Sequence, residues 1–394
     1  MANNITHTID EILGFRKKIL KSQFATHPKD TMLLVGMSGG VDSSVTAAIM
    51  HYLGFNVIGV TLQLYGGEKS GKMCCTGRDI DDAKSVALKI GFPHYTLNYE
   101  DKFFKSVLSN FADEYLEGRT PSPCVRCNQS VKFADLLSYG KKLGAKAVVT
   151  GHYARYVVNK NCIAKGVDMT KDQSYFLSLI NRENLQFVRF PLGDFHKSEI
   201  REIANRFNLC TAKKAESQDL CFVQNNKYAE MIQKIYPHAK EKCGVIISTQ
   251  GQILGYHDGI SKYTVGQRKG LNLPNGPWFV IRLNSHAKQV IVGKRHELAR
   301  KVFYVDSLNW MMNYDQFDNL SVKVRARHSE INCKIEIVDH IEEEHQELYE
   351  ETSQIIENNI AKVTLNENEF GIAPGQICAF YANELLVGGG RIIV

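Results

Sequence analysis

Through its first 150 residues the chain alternates short apolar runs with stretches whose apolar positions recur at helical spacing. That pattern predicts strands and helices in turn. Thr31 to Met37 reads as the first strand and Asn56 to Leu64 as the second; Tyr95-Thr96-Leu97 is a short third, and Ala145 to Thr150 a buried fourth. Between them Asp79 to Ile90, Asp101 to Leu116 and Asn128 to Leu143 are at helical spacing, the first stopping at Gly91. Ahead of the alternation, Ile9 to Phe24 predicts an amphipathic helix, followed by a polar connector through His27-Pro28-Lys29. Such alternation predicts an α/β fold, a parallel sheet with helices on both faces and ligands at the carboxyl ends of its strands. The strand ends that matter are then Gly36-Met37, Leu62 and Gly151.

From Tyr153 the pattern changes. Tyr153 to Val158 and Asn161 to Lys165 predict a hairpin around Asn159-Lys160, and Gln173 to Leu179 and Ser198 to Phe207 predict helices. After Cys243 the chain becomes rich in β-prone residues punctuated by Gly, Asn and Pro. Gly244 to Ser248, Gln252 to Tyr256, Phe279 to Asn284 and Gln289 to Gly293 predict a small β domain, and Phe303 to the end predicts a β-barrel. The acidic run Ile341 to Glu351 reads as a solvated surface. There is no internal repeat.

Composition changes this picture little. A chain of 394 residues has room for two or three cores, and 44% hydrophobic with 23% charged residues is ordinary for a soluble protein. Lys and Arg exceed the acids by 48 to 42, a mild lean toward an anionic partner. Met1 to Leu20 lacks the apolar core of a signal peptide, and no run is long enough to span a membrane, so a cytoplasmic enzyme is expected. In that compartment the ten cysteines are expected to stay reduced, and paired ones to bind metal or do redox chemistry.

Three stretches carry chemistry. In the first, an apolar strand passes through Gly36-Met37-Ser38-Gly39-Gly40-Val41-Asp42-Ser43-Ser44 into a helix. A helix N-terminus offers unpaired N–H groups and a partial positive charge, and glycines let the backbone approach an anion. No Lys follows the glycines, so neutralisation of a bound phosphate must come from the helix dipole, from Mg²⁺ or from a remote base. The second stretch is Gly118-Arg119-Thr120-Pro121-Ser122-Pro123-Cys124-Val125-Arg126-Cys127-Asn128, whose second cysteine stands just before the helix expected from Asn128. A thiol there, with Arg119 and Arg126 nearby, is favoured as thiolate, although a half zinc site or two incidental cysteines fit the same spacing. The third is Ala215-Glu216-Ser217-Gln218-Asp219-Leu220-Cys221-Phe222.

The first string resembles the PP-loop of the ATP pyrophosphatases, which release pyrophosphate and leave an adenylate on their substrate. Together the three stretches resemble the tRNA-specific 2-thiouridylases, which replace the 2-oxygen of the wobble uridine, position 34, by sulfur. The likeness extends to Thr150-Gly151-His152-Tyr153-Ala154, Lys171-Asp172-Gln173-Ser174-Tyr175-Phe176-Leu177, Tyr263-Thr264-Val265-Gly266-Gln267-Arg268-Lys269-Gly270 and Ala373-Pro374-Gly375-Gln376. It implies an N-terminal extension (1–30), a PP-loop ATP-binding catalytic domain (31–225), a central domain (226–300) and a C-terminal β-barrel (301–394). It also implies an ATP site at Gly36, Met37, Ser38, Gly39, Gly40, Val41, Asp42 and Ser43, with Leu62 and Gly151 on the adenosine side. Cys221 would hold sulfur as a persulfide, and Cys127 would release it by forming a disulfide with Cys221. His152, Lys171, Asp172, Gln173 and Gln376 would contact tRNA. ATP, Mg²⁺, a thiol reductant and a sulfur-carrier protein or cysteine desulfurase relay are implied as cofactors and partners.

One position departs from the family pattern: Cys124 stands where many relatives have Asp, proposed there as acid or base. A thiol titrates near ~8.5 and cannot replace a carboxyl directly. Cys124 would act as a thiolate, as a third redox thiol, or with Cys127 and Cys221 as ligand to a 4Fe-4S cluster. A cluster-dependent tRNA thiolase and a non-catalytic tRNA-binding protein are therefore the rival readings. Gly66-Gly67-Glu68-Lys69-Ser70-Gly71-Lys72-Met73 mimics a Walker loop but has Met73 where Mg²⁺ needs a hydroxyl, so it reads as a loop beside the ATP site, with Cys74 and Cys75 incidental. Basic residues among aromatics in Lys262 to Arg268 and Lys323 to His328 are expected to meet phosphates and bases.

Overall fold

The structure, a computed structural model, describes residues 9–65, 77–216, 220–223, 227–237, 243–342 and 359–393. The Walker-like string with Cys74 and Cys75, and most of the acidic run, lie outside the described residues. The chain divides into two compact units: residues 1–104, 127–226 and 384–386 in the first, and 105–126, 227–383 and 387–394 in the second.

The first unit is built on a five-stranded, wholly parallel sheet. Its strands β1 (Met32–Gly36), β2 (Asn56–Gln63), β3 (His94–Asn98) and β4 (Ala147–Val149) are those the apolar runs predict. A hairpin follows, β5 (Ala154–Val157) and β6 (Cys162–Lys165), around the expected turn. The alternation then resumes where the sequence suggested it had ended: β7 (Val188–Arg189) pairs in parallel with β4. Two residues are too short a run to register as periodicity. The order β3-β2-β1-β4-β7 places β1 centrally, with Leu33 opposite Val57 on one side and Ala147 on the other. Strand order reverses between β1 and β4, so a crevice opens there beyond the carboxyl ends.

Helices α1 (Val41–Tyr52), α2 (Gly77–Ile90) and α3 (Phe133–Lys142) join these strands, and α4 (Lys197–Arg206) follows β7. Nine residues of α1 are buried, because one core holds Val45 and Ile49 together with Leu33 and Val35 of β1 and Ile200 and Ile203 of α4. The N-terminal segment joins this core through Ile9, Leu13 and Leu20, but its helix breaks at Gly14, which has φ +49°, and restarts as Arg16–Ser22. Gln173 to Leu179 yields only a 3-10 turn, Ser174–Leu177.

The second unit contains two β structures. Strands β8 (Gly244–Ser248), β9 (Ile253–His257), β10 (Phe279–Asn284) and β11 (Gln289–Gly293) form a sheet in the order β10-β11-β8-β9. Ile246, Val280, Val290 and Val292 make its core. Strands β12 (Ala299–Trp310), β13 (Leu320–Lys323), β14 (Ile331–Val338), β15 (Ile360–Phe370), β16 (Ile377–Ala382) and β17 (Leu385–Ile392) form a barrel in the order β12-β15-β14-β13-β16-β17. Pairing of β12 with β17, Val305 opposite Ile392, closes it and leaves no edge to aggregate. Alternate residues fill the interior, among them Phe303, Val322, Val363 and Phe380, with Trp310 stacked on Phe380 at 4.9 Å.

Truncating a fully buried aromatic leaves a cavity, so Phe380→Ala is expected to destabilise the barrel by ~3–5 kcal/mol, whereas Tyr256→Ala, at a side chain 79% exposed, changes stability by less than about 0.5 kcal/mol. The midpoint of urea unfolding, followed by tryptophan fluorescence, checks both.

Candidate active site

The loop between β1 and α1 is held from several sides. The N–H of Ser38 donates to Ser43 Oγ at 3.1 Å, Ser43 Oγ donates to Gly40 O at 3.2 Å, and Thr61 of β2 donates its hydroxyl to Met37 O at 2.7 Å. Gly39 has φ +73°, and a Cβ there would lie 2.2 Å from the carbonyl oxygen of Asp79, so only glycine fits. Gly40 precedes the helix with no side-chain cap, leaving the first N–H groups of α1 directed at the crevice. Gly151, two residues beyond β4, packs on the same helix start: a Cβ there would come within 2.9 Å of Ser43 N. Leu62 is buried at the end of β2. The backbone thus forms a cradle that fits a polyphosphate by its N–H groups and by its lack of side chains.

Charge collects beside the cradle. Asp42, on the first turn of α1, accepts from the Tyr153 hydroxyl at 2.8 Å and takes the Lys197 ammonium on both oxygens, at 2.6 and 2.7 Å. Burial first, then Asp42, raises the Tyr153 pKa far above its usual value, so that hydroxyl keeps its proton. Lys197 also lies 3.4 Å from Glu216, which pairs with Lys171 at 2.8 Å and Arg201 at 3.6 Å. The hydrogen bond from Lys171, followed by the neighbouring cations, holds the Glu216 carboxyl below its usual pKa. On the opposite side Lys214 donates to Gly39 O at 2.9 Å and to Asp79 and Asp82, both at 2.6 Å. Sequence reasoning missed Lys197, Lys214 and Tyr153 as parts of this site. A lysine far along the chain carries no local signal, although Lys197 is unusual in standing at the first position of α4, where the helix dipole disfavours a cation.

The cysteine-bearing helix begins five residues earlier than expected. It runs from Pro123, through Cys127, into a π turn (Asn128–Lys132) and on into α3. Pro123 provides a first helical residue with φ already fixed. Cys124 therefore occupies the first turn and Cys127 sits one turn in, rather than just ahead of the helix. Cys124 is exposed, Cys127 buried and Cys221 half-buried. Asn128, beside Cys127, donates to Phe176 O at 2.9 Å. Phe222, beside Cys221, packs edge-on against Phe103 with ring centroids 5.9 Å apart. Burial pushes the Cys333 thiol up to about 12 and raises those of Cys162 and Cys378, which marks these three as structural. Among the described residues no three His, Cys, Asp or Glu side chains gather to hold a metal ion.

Residues 31–225 match the family described as tRNA methyl transferase HUP domain, 231–294 the tRNA methyl transferase PRC-barrel domain, and 343–392 the aminomethyltransferase beta-barrel domain. The chain is 45% identical, over 93% of its length and 95% of the relative's, to the tRNA-specific 2-thiouridylase MnmA of Wolbachia pipientis wMel. It is also 45% identical to that of Rickettsia prowazekii (91% and 98% covered) and 42% to that of Rhodospirillum centenum (94% and 93%). The chain belongs to the tRNA-specific 2-thiouridylase family. The methyltransferase wording attaches to the domains singly, whereas the 2-thiouridylases match nearly end to end. A solved U34-tRNA thiolase NcsA from Methanococcus maripaludis with its [4Fe-4S] cluster is 18% identical, with a TM-score of 0.35, covering 60% of this chain and 74% of that one; a likeness that weak has no functional weight.

In this 2-thiouridylase family member, the residues that the resemblance assigns to tRNA already hold protein. Asp172 accepts from the N–H groups of Gly166 and Ser174, both at 3.1 Å, and Gln173 Oε1 accepts from Tyr153 N at 3.0 Å. Gln376 donates to the carbonyls of Thr120 and Pro121, each at 3.0 Å. With Thr120 N donating to Pro374 O at 2.8 Å, it clasps the stretch before Pro123 to the barrel. Arg119, expected to add positive potential, is buried instead against Glu114 in a two-bonded pair at 2.7 and 3.1 Å. Lys262 pairs with Asp258, and Arg325 and His328 both reach Glu369 at 3.1 Å, so part of the expected basic charge is compensated. His152 bonds Thr150 Oγ1 at 2.8 Å and packs between Phe133 and Phe190.

Burial, with Lys132 second, lowers the His152 pKa to about 3. Its imidazole resonances are expected to stay flat between pH 5 and 8. Because the folded pKa lies below the unfolded 6.5, the stability it contributes is full above pH 6.5 and falls as pH drops toward 3; His152→Gln flattens that slope in acid denaturation. At the loop, Gly39→Ala is expected to abolish ATP binding in calorimetry, whereas Gly40→Ala, whose Cβ would meet only Ser38 Oγ at 3.4 Å, weakens it by less than about tenfold.

Proposed function

We propose that this protein catalyses ATP-dependent 2-thiolation of the wobble uridine of tRNA, adenylating the 2-oxygen and then replacing it by sulfur from a cysteine persulfide. What carries the reading is a phosphate cradle at a topological switch point in a chain 45% identical over 93% of its length to a tRNA-specific 2-thiouridylase. The departing pyrophosphate end of ATP would rest on the α1 N–H groups, with Leu62 and Gly151 toward the adenosine. Mg²⁺ would arrive on those phosphates, as it commonly does, and shield their charge. Attack by the uridine 2-oxygen on the α-phosphorus expels pyrophosphate and leaves AMP bonded through that oxygen, a far better leaving group.

Cys221 would bring the terminal sulfur of a persulfide, delivered by a sulfur-carrier protein or a cysteine desulfurase relay. That sulfur attacks C2 and AMP departs. The Cys127 thiolate then attacks Cys221 Sγ, freeing the sulfur on the base and forming a Cys127–Cys221 disulfide, which a two-electron thiol reductant reopens. Cys124 would assist as a thiolate or as a reserve thiol. The iron–sulfur alternative gains nothing from the absence of a three-ligand group among the described residues, and a non-catalytic tRNA binder leaves the phosphate cradle unexplained. A cytoplasmic setting suits both the tRNA and the reduced thiols.

ATP-dependent transfer of labelled sulfur into defined tRNAs is expected for the wild type. It should fall at least about 10³-fold in Cys127→Ser and Cys221→Ser, as loss of a nucleophile does. Sulfur transfer unaffected by either change would remove the persulfide mechanism. Cys124→Asp should retain activity if position 124 handles protons and lose it if the thiol itself is needed.

A further inference from the structure

Lys197 presents a chemical puzzle. It is buried, its side chain 10% exposed, at the helix position least suited to a cation, and its ammonium is already neutralised by both oxygens of Asp42. A lysine has three N–H donors. Two go to Asp42; among the described residues Glu216 stands next, at 3.4 Å, too long for a strong charge-assisted bond. Glu216 does not depend on that contact, since Lys171 and Arg201 serve it as well. Asp42 lies on the first turn of α1, over which the phosphates of a nucleotide would sit, and the loop itself has no lysine after its glycines.

We propose that Lys197 is the remote base of this ATP site: keeping Asp42, it turns its third N–H from Glu216 to an oxygen of the departing pyrophosphate. The assignment rests on the adenylation reading above and adds to it the residue that binds the leaving group. Pyrophosphate carries several negative charges and AMP fewer, at a different end of the nucleotide, so a cation serving the leaving group discriminates between the two products. A lysine that merely shaped the loop through Asp42 would affect both alike.

The test is inhibition of tRNA-dependent adenylation by inorganic pyrophosphate and, separately, by AMP, in the wild type, Lys197→Met and Lys197→Arg. Losing one charge-assisted hydrogen bond should raise the inhibition constant for pyrophosphate by about 10- to 100-fold in Lys197→Met, with AMP changed by less than about threefold. Lys197→Arg, which keeps the charge, should lie between. Melting temperatures of the three proteins show whether each folds; if Lys197→Met does not, the comparison rests on Lys197→Arg, whose pyrophosphate constant must rise by more than its AMP constant. Equal shifts for both products, or none, overturn the assignment. If the wild type releases no pyrophosphate with tRNA, the functional reading itself fails; if it does and only the variants behave contrary to expectation, the role of Lys197 alone is lost.

Discussion

Everything in the first unit depends on one tight turn, in which β1 must end and α1 begin within four residues so that bare backbone N–H groups face outward. The turn requires a left-handed residue against another chain segment, and Gly39, with no Cβ, meets the Asp79 carbonyl where any side chain would collide. Thr61 fixes the turn from β2 and Lys214 from beyond α4, each bonding a loop carbonyl. Because the carbonyls are spent on protein, what remains exposed is the positive end of the helix. An anion site follows from the main chain before any charged side chain is counted.

A second constraint concerns the cysteine-bearing helix. Prolines at 121 and 123 stiffen its approach but cannot aim it. Aim comes from the C-terminal barrel, through Gln376 on two carbonyls and Pro374 on the Thr120 N–H, and from the buried Arg119–Glu114 pair. Removing one partner of such a pair strands a buried charge, which costs several kcal/mol. The barrel thereby contributes to the position of Cys124.

Much of this was legible in the chain. The strands β1 to β4, the hairpin and the loop follow from apolar runs and glycines, because parallel buried strands write themselves as short continuous apolar stretches. What was not legible is instructive. The two-residue strand β7 has no period to detect, and the helix expected from Asn128 in fact starts at Pro123, a first helical residue. Lys197 and Tyr153 meet Asp42 from 155 and 111 residues away, and contacts of that range leave no trace in spacing. Arg119 was read by its charge, when its burial and its partner decide what it does.

The central claim is that this cradle holds a triphosphate for cleavage between its α and β phosphorus atoms. The direct measurement is the identity of the nucleotide products when the protein is incubated with ATP and unmodified tRNA, without any sulfur donor. Pyrophosphate, one for each AMP left bonded to the tRNA, is the predicted outcome, appearing in Cys221→Ser as well as in the wild type because adenylation precedes sulfur. ADP and inorganic phosphate in place of pyrophosphate and tRNA-bound AMP would contradict it.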